Sequence, residues 1–401
     1  MARSHGPAPW PDVIARGHRP RPSSGWICEG TIEATADAWR VAAEAFAVEG
    51  VWLGAEPIST GHINATWLAT CRTAGGDRRF VLQAINTAVF REPEVLIENQ
   101  VRVTRHLEAR LAARGVAHPE RHCLRLVPAR DGGWCVELGE RGVWRASPFI
   151  EGTRHHDVAS SPRVAREAGR VFGRFAADLS DWQGAPLRET IPHFHDLPRR
   201  VSALRRAVEA DARRRLAGCR AEAETALAAS RDLQEALGSI GSEAWPERVV
   251  HNDCKLNNAL FDAVSGEGLC AVDLDTVMPG RIAFDVGEIV RSATCAAPED
   301  ERDLSKVRFD LELFRAVVHG YLEGAGGILT AEERAGLSLA GPLMTLENAV
   351  RFLTDHLEGD VYFGVHRPGH NLDRARAQLS LFGSMWEARG GAAGAVEALV
   401  P

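Results

Sequence analysis

Apolar residues between positions 51 and 150 come in short runs that are separated by turn residues, a pattern typical of β-strands. Gly75-Gly76-Asp77 and Asp131-Gly132-Gly133 lie between such runs and have the composition of hairpin turns. One helix, predicted at Pro93–Ala112, interrupts the strands. The six predicted strands are Val51–Ile58, Ala65–Cys71, Phe80–Ile85, Leu124–Pro128, Trp134–Leu138 and Val143–Phe149. This part of the chain is therefore predicted to be a small, mainly antiparallel sheet with one helix.

After residue 151 the apolar residues recur at helical spacing. Ala165–Trp182 predicts an amphipathic helix, and residues 198–240 predict a pair of helices whose charged residues form a solvated face. Two short apolar runs, Ala259–Phe261 and Leu269–Val272, break the helical pattern before it resumes at Asp285. The second part of the chain is therefore predicted to be mainly helical.

The pattern divides the chain into three parts. Residues 1–30 are rich in Pro, Arg, Gly and Ser and lack periodicity, which predicts a flexible extension. A first helix is predicted at Thr31–Val48. We predict an α+β fold in which residues 31–150 form a sheet lobe and residues 151–401 form a larger helical lobe.

Composition limits the classes of function. The hydrophobic content of 45% and the charged content of 25% are typical of a globular protein. The formal net charge of -7 argues against a nucleic-acid partner, which requires a basic surface. The sequence has no apolar run of membrane-spanning length and no signal region, and its eight cysteines include no C-x-x-C pair. We expect a soluble, cytoplasmic protein with reduced thiols and no membrane partner; the oligomeric state stays open.

The strongest chemical motif is His251–Asn258, which fits H-x-D-x-x-x-x-N, the catalytic-loop pattern of protein-kinase-like phosphotransferases. The apolar run Leu269–Val272 follows and ends in Asp273. In such a site Asp253 faces the acceptor hydroxyl, while Asn258 and Asp273 hold Mg²⁺ on the phosphates of ATP. The spacing predicts a phosphoryl-transfer centre.

Lysine is scarce in this chain, which contains only Lys255 and Lys306. Lys255 lies two residues after Asp253, a position from which an ammonium group can reach the transferring phosphoryl group. We therefore predict that Lys255 takes part in catalysis.

Further stretches identify a family. The chain resembles the aminoglycoside-phosphotransferase-like kinases and, within them, the N-acetylhexosamine 1-kinases. Besides the catalytic loop, the stretches that match are Gly61–Asn64, Leu82–Thr87, Phe149–Gly152, Glu189–Asp196, Val272–Thr276, Glu299–Lys306, Arg351–Asp355, Glu358–Phe363 and His370–Asp373. They extend over roughly residues 45–385.

The resemblance implies a bilobal protein-kinase-like fold with ATP and Mg²⁺ between the lobes. It implies an adenine-binding hinge at Phe149 and Ile150. It also implies that Gln83 stands where protein kinases place a phosphate-binding lysine, and Glu98 on the following helix could bond it. The residues implied to cover the phosphates in a turn are Ser59, Thr60, Gly61 and Asn64.

The resemblance also implies a sugar substrate that is phosphorylated on its anomeric hydroxyl. The residues implied to contact the sugar are His62, Asp253, Asp273, Arg291, Arg351 and Tyr362. Two departures concern this site: Ser292 follows Arg291 where the related kinases have Phe, and Glu288 stands where they have Asp.

Two alternatives remain open. One is a kinase of another small alcohol of the aminoglycoside, choline or homoserine type; Arg291 and Arg351 disfavour aminoglycosides, because cationic substrates would favour an acidic acceptor pocket. The other is a non-catalytic kinase-like binding module, which the intact set of Asp253, Asn258 and Asp273 disfavours. A zinc site at the His193–Asp196 stretch is not expected, because no third ligand follows at a suitable spacing.

Overall fold

The computed structural model describes residues 38–58 and 63–399. The predicted extension at residues 1–30 and the start of the predicted first helix lie outside the described residues. The described part of that helix is α1, Ala38–Glu44, whose Ala42 and Ala43 are fully buried; the predicted end at Val48 is wrong, because Ala47 donates its backbone N–H to Pro128 at 2.8 Å instead of continuing the helix. Residues 59–62 of the predicted phosphate-covering turn also lie outside the described residues.

A five-stranded antiparallel sheet forms the first lobe, with strand order β1-β2-β3-β5-β4. The strands are β1 Val51–Ile58, β2 Ala65–Thr73, β3 Gly76–Ile85, β4 Val136–Glu137 and β5 Val143–Pro148. The predicted strand at Leu124–Pro128 is wrong. Val127 donates a backbone hydrogen bond to Ala146 at 2.8 Å, but residues 124–128 form no strand of this sheet.

Helix α2, Pro93–Ala113, lies between strands β3 and β4 in the chain, as predicted. Its Leu96, Ile97 and Val101 form an apolar cluster with Ile85 of β3. The same helix buries two polar side chains, Asn99 and Gln100, each 1% exposed. Buried side-chain amides need hydrogen-bond partners. The hydrogen-bond partner of the Gln100 side chain lies in the site between the lobes.

Short strands frame the loops of the site. Strands β6, β8 and β9 form one small sheet, and β7 pairs with β10 in another. Their bounds are β6 Thr153–Arg154, β7 Arg248–Val250, β8 Ala259–Asp262, β9 Gly268–Ala271 and β10 Met278–Gly280. The predicted catalytic loop thus connects β7 to β8, and Asp273 follows β9.

The second lobe is mainly helical. Its helices are α3 Pro162–Leu179, α4 Leu197–Ala210, α5 Arg220–Ser239, α6 Ile282–Ala293, α7 Leu311–Ala325, α8 Ala331–Glu358, α9 His370–Glu387 and α10 Arg389–Leu399. Helices α3 and α7 touch backbone to backbone, because a Cβ at Gly169 or Gly173 would collide with carbonyl oxygens of α7. This is the predicted two-lobed, kinase-like α+β fold. The lobe boundaries at residues 31, 150 and 151 stay predictions. No helix within the described ranges is long and apolar enough to cross a membrane.

Candidate active site

The catalytic loop is anchored through its first two residues. His251 is fully buried, and its ring Nε2 lies 3.0 Å from the carbonyl oxygen of Val272. Its backbone N–H and that of Asn252 donate to the two carboxylate oxygens of Asp285, at 3.1 and 2.7 Å. Asp285 thereby fixes the loop from helix α6, and burial raises the pKa of this carboxyl group. His251 is a structural residue of the loop.

Asn252 has a left-handed backbone conformation, with φ of 63°. Its side chain donates to the carbonyl oxygen of Thr276 at 3.0 Å. A Cβ at Gly280 would lie 2.6 Å from Oδ1 of Asn252, so only glycine fits beside this side chain. The turn that precedes Asp253 is therefore held by the hydrogen bond to Thr276 and by close packing against Gly280.

Asp253, Lys255 and Asn258 form one hydrogen-bonded group. Lys255 Nζ lies 2.8 Å from Oδ1 of Asp253, and Asn258 donates from Nδ2 to Oδ2 of Asp253 at 3.2 Å and to its backbone oxygen at 2.8 Å. Burial opposes ionisation of Asp253, but the charge and hydrogen bond of Lys255, together with the charge of Arg291, outweigh burial and lower its pKa. Asp253 is therefore a carboxylate that can accept a proton.

Asp273 lies next to this group. Val272 donates to the backbone oxygen of Asn258 at 2.9 Å, which places Asp273 beside the catalytic loop. Burial and the carboxylates of Asp275 and Asp253 raise the pKa of Asp273 to about 7. A buried carboxylate beside two others is an environment that a cation stabilises.

Asn258 and Asp273 fit the predicted Mg²⁺ site. Asn258 uses its Nδ2 toward Asp253, so its Oδ1 is the atom suited to a metal ion. No group of three or more His, Cys, Asp and Glu side chains in residues 38–58 and 63–399 could hold a metal ion by itself. Mg²⁺ on a nucleotide needs no such group, because phosphates and waters supply most of its ligands.

Among the first-lobe residues predicted to bind the nucleotide, Asn64 has defined hydrogen-bond partners. Ser59, Thr60, Gly61 and His62 lie outside the described residues. Asn64 donates to Oδ2 of Asp275 at 2.6 Å and accepts from the backbone of Asn86 at 2.9 Å. Its side chain therefore joins the first lobe to the loop that contains Asp273.

Gln83 bonds Arg145 and not Glu98, so the prediction that Glu98 could bond it is wrong. Gln83 Oε1 accepts from Nε of Arg145 at 2.9 Å, and Glu98 lies 3.7 Å from Arg102 one turn along α2. Arg145, 3% exposed, was missed in the sequence. The absence of lysine from the first lobe is the signal that could have drawn attention to it.

The predicted hinge residues follow strand β5. Phe149 donates its backbone N–H to the oxygen of Arg79 at 3.0 Å, and the Arg79 guanidinium lies 4.2 Å from the Phe149 ring centre. Ile150 is buried, and its carbonyl oxygen accepts from the hydroxyl of Thr153 at 2.6 Å. Their role in binding adenine stays a prediction.

Arg291 lies near the catalytic loop but has carboxylate partners of its own. Its Nη2 lies 2.8 Å from Glu288 and its Nη1 2.9 Å from Glu299. Burial opposes the charge of Arg291, and these two carboxylates outweigh burial and raise its pKa. A role of Arg291 in sugar binding stays a prediction, and any such role would be shared with Glu288 and Glu299.

Ser292 anchors the catalytic loop. Its hydroxyl accepts from the backbone N–H of Leu256 at 3.0 Å and donates to the backbone oxygen of Glu288 at 2.8 Å. Ser292 therefore ties helix α6 to the loop directly after Lys255.

The structure brings together Arg351 and Tyr362. The Arg351 guanidinium lies 5.2 Å from the ring centre of Phe194, 5.8 Å from that of Tyr362 and 5.3 Å from that of Phe363. Asp355 fixes the turn after α8 by accepting from the backbone N–H groups of Tyr362 and Phe363, at 2.8 and 3.0 Å. Tyr362 is 48% exposed and open to a ligand.

His195 is a second residue, after Arg145, that the sequence did not single out for this site. Its Nδ1 lies 2.8 Å from Oε1 of Glu347, and its Nε2 lies 2.8 Å from the backbone oxygen of Asn252. Burial opposes protonation of His195, but the charge of Glu347 outweighs burial and raises the pKa. Both ring nitrogens face acceptor oxygens, and the ring thereby supports the residue that precedes Asp253, where the sequence suggested only a motif that resembles a metal site.

Known structures share this arrangement of lobes. An aminoglycoside phosphotransferase from Alicyclobacillus acidocaldarius is 14% identical, with a TM-score of 0.51 over 90% of this chain and 95% of its own. A choline kinase from Cryptosporidium parvum is 12% identical, with a TM-score of 0.51 over 86% of this chain and 91% of its own. A choline/ethanolamine kinase family protein from Mesorhizobium loti is 14% identical, with a TM-score of 0.50 over 90% and 99%. At these identities the likeness is one of fold.

The family follows from the sequence itself. The model of the phosphotransferase enzyme family, APH, matches residues 54–324, which is more than half of the chain. The match contains strands β2 to β10, the catalytic loop and Asp273. Because the family model matches more than half of the chain, the chain belongs to the phosphotransferase enzyme family.

Proposed function

We propose that this protein is an ATP- and Mg²⁺-dependent small-molecule kinase that phosphorylates the anomeric hydroxyl of a free sugar, an N-acetylhexosamine or a related hexose, to give a sugar 1-phosphate. The observation that best supports phosphoryl transfer is the group of Asp253, Lys255 and Asn258 beside Asp273. An ATP-dependent reaction also favours the cytoplasmic location predicted from the sequence.

Asp253 is suited to be the proton acceptor. Its lowered pKa keeps it ionised at neutral pH, and an anomeric hydroxyl is acidic enough for a carboxylate to take its proton as the oxygen attacks phosphorus. Lys255, 2.8 Å from Asp253, would orient the carboxylate and place a positive charge beside the transferring group.

Asn258 and Asp273 would hold the metal, and Ser59, Thr60 and Gly61 would cover the phosphates. Mg²⁺, when bound, would neutralise charge on the phosphates and hold them in line with the acceptor. The hinge at Phe149 and Ile150 would bind adenine. The protein's contribution is then mainly positioning and charge neutralisation.

The aromatic cluster around Arg351 supports a sugar over a quaternary ammonium alcohol. Three rings around one point form a site that attracts a cation. Here the guanidinium of Arg351 itself lies among the rings of Phe194, Tyr362 and Phe363. A planar guanidinium beside a phenol suits the hydroxyl and acetamido oxygens of a sugar. We propose Arg351 and Tyr362 as sugar contacts, with His62, Asp253, Asp273 and Arg291.

The test is a coupled ADP-release screen over free hexoses and hexosamines, with choline, homoserine and aminoglycosides in the same plate. Phosphorus NMR then identifies the phosphorylated carbon. We expect turnover of an N-acetylhexosamine or hexose and a signal from an anomeric phosphate. Asp253→Asn is the control for contaminating kinases. A phosphate on another carbon, or turnover of a cationic alcohol alone, would overturn the sugar 1-kinase proposal.

A further inference from the structure

The first lobe has a cation in an unusual place. Kinases of this fold use a lysine on the third strand, paired with a glutamate on the following helix, to order the phosphates. In this chain the third strand has Gln83, and the side chain from α2 that reaches the same place is Gln100. No lysine precedes Lys255 in the sequence. Arg145, on the neighbouring strand β5, is the buried cation at this position.

Strand register explains how Arg145 comes to this place. Gln83 of β3 and Arg145 of β5 are directly opposite each other in the antiparallel ladder. Residues opposite each other in a ladder point to the same face of the sheet. Arg145 therefore extends from the face on which a third-strand lysine would lie, displaced by one strand.

Two amides fix the guanidinium of Arg145. Nε donates to Oε1 of Gln83 and Nη1 donates to Oε1 of Gln100, each at 2.9 Å. A planar guanidinium can satisfy several acceptors in fixed directions, whereas a lysine ammonium cannot. Both amides are neutral, so the positive charge of Arg145 is still available to pair with a carboxylate.

That carboxylate is Asp275, with which Arg145 forms an ion pair; the two side chains are 4% and 5% exposed. Asp275 lies two residues after Asp273 in the second lobe, and its Oδ2 also accepts from Asn64 of the first lobe at 2.6 Å. Its backbone oxygen accepts from the hydroxyl of Thr190 at 2.8 Å. Asp275 is thus held from both lobes.

We propose that the Arg145–Asp275 ion pair replaces the lysine–glutamate pair as the contact that aligns the two lobes for phosphoryl transfer. Arg145 is a positioning residue: it acts through Asp275 on the loop that holds Asp273, and the loop is aligned only while the lobes are closed. Separation of the lobes would break the contacts of Asp275 with both Arg145 and Asn64. This inference rests on the phosphotransferase family and does not depend on which alcohol is phosphorylated.

The experiment compares Arg145→Gln, Asp275→Asn and the double variant Arg145→Gln/Asp275→Asn. The double variant removes both charges, so it leaves no unpaired buried charge that would by itself unfold the protein. Measurements are ADP release with the best acceptor and without acceptor, MgADP binding by calorimetry, and thermal melting. The matched control is Arg72→Gln/Asp77→Asn, which neutralises an exposed ion pair of the same sheet.

We expect the double variant to melt near the wild-type temperature and to lose kcat by about 100-fold, the effect of a misplacement near 1 Å, with KM for ATP changed much less. Each single variant should melt at a lower temperature because of its unpaired charge, and below that temperature it should lower kcat about as much as the double, because the pair acts as a unit. Arg145→Lys should have a higher kcat than Arg145→Gln, since lysine keeps the positive charge but lacks the planar guanidinium that bonds both amides.

Three results would overturn the proposal. One is a folded double variant whose kcat stays within about threefold of wild type, the range expected for the control pair. The second is additive losses in the two single variants, which would show that the residues act independently. The third is a rise in KM for ATP and a loss of MgADP binding with kcat unchanged, which would make Arg145 a direct phosphate ligand instead.

Discussion

His195 donates a hydrogen bond from its ring to the backbone oxygen of Asn252, and the two atoms lie 2.8 Å apart. The other ring nitrogen faces Glu347 of α8 at 2.8 Å. The imidazole lies beside the rings of Phe194 and Phe284, with centres 4.3 and 5.0 Å away. A charged pair sealed by aromatic rings therefore holds the backbone directly before Asp253.

Loss of this support should slow the reaction without removing the reacting groups. We expect His195→Ala to lower kcat by roughly 10- to 100-fold, because the carbonyl of Asn252 loses its donor and Asp253 shifts. The matched control is His193→Ala, which removes a histidine two residues away whose side chain is 53% exposed. Equal activity of the two variants in the ADP-release assay would contradict the role of His195.

The same pair should make stability depend on pH. The pKa of His195 is raised in the folded protein, so its contribution is fully present below the unfolded pKa near 6.5 and is lost as pH rises through the raised value. In the Glu347→Gln variant the carboxylate is absent, so burial would favour the neutral form of the His195 ring. The free energy of unfolding, measured in urea from about pH 5.5 to about pH 9, should differ most between wild type and variant at the acid end. Glu120→Gln, beside the exposed His118, is the control, and an equal pH dependence in both variants would contradict this account.

Asp253→Asn should abolish turnover while MgATP binding survives. The amide keeps the shape of the side chain but cannot accept the acceptor's proton, a loss of about 10²- to 10⁴-fold. Asp157→Asn, an exposed aspartate of the second lobe, is the matched control. Activity of Asp253→Asn above a few per cent of wild type in the same assay would remove Asp253 from the role of proton acceptor.

Asp273→Ala should weaken binding of the metal–nucleotide complex. With the carboxylate gone, we expect the affinity for MgADP to fall by about tenfold or more, which corresponds to ~1.4 kcal/mol. Calorimetry with ADP in EDTA provides the control, because metal-free binding should change little. A variant that binds MgADP and free ADP as wild type does would exclude Asp273 as a metal ligand.

Ser292→Ala should loosen the catalytic loop. The substitution leaves the backbone N–H of Leu256 without its 3.0 Å acceptor, which costs about 1–3 kcal/mol for a group removed from water. We expect a lower free energy of unfolding together with a lower kcat. Ser202→Ala, whose exposed hydroxyl donates to Pro198 in the helix α4, should change neither. A gain of activity on larger sugars with unchanged stability would instead make Ser292 part of the acceptor pocket.

The sequence by itself determined much of the local structure and predicted the reacting groups. The first-lobe strands except the one at Leu124–Pro128 followed from short apolar runs and turn residues, because both depend on neighbours in the chain. The spacing from His251 to Asn258, with Asp273 after an apolar run, predicted a phosphoryl-transfer centre for the same reason. These are short-range patterns.

Only the tertiary structure decided which distant side chains support that centre. The cross-strand pairing of Gln83 with Arg145, the ion pair of Arg145 with Asp275 and the contact of His195 with Asn252 join residues that are 62, 130 and 57 positions apart. No local pattern encodes such pairs, because a buried polar group takes its partner from whatever the packed lobes bring within hydrogen-bonding distance.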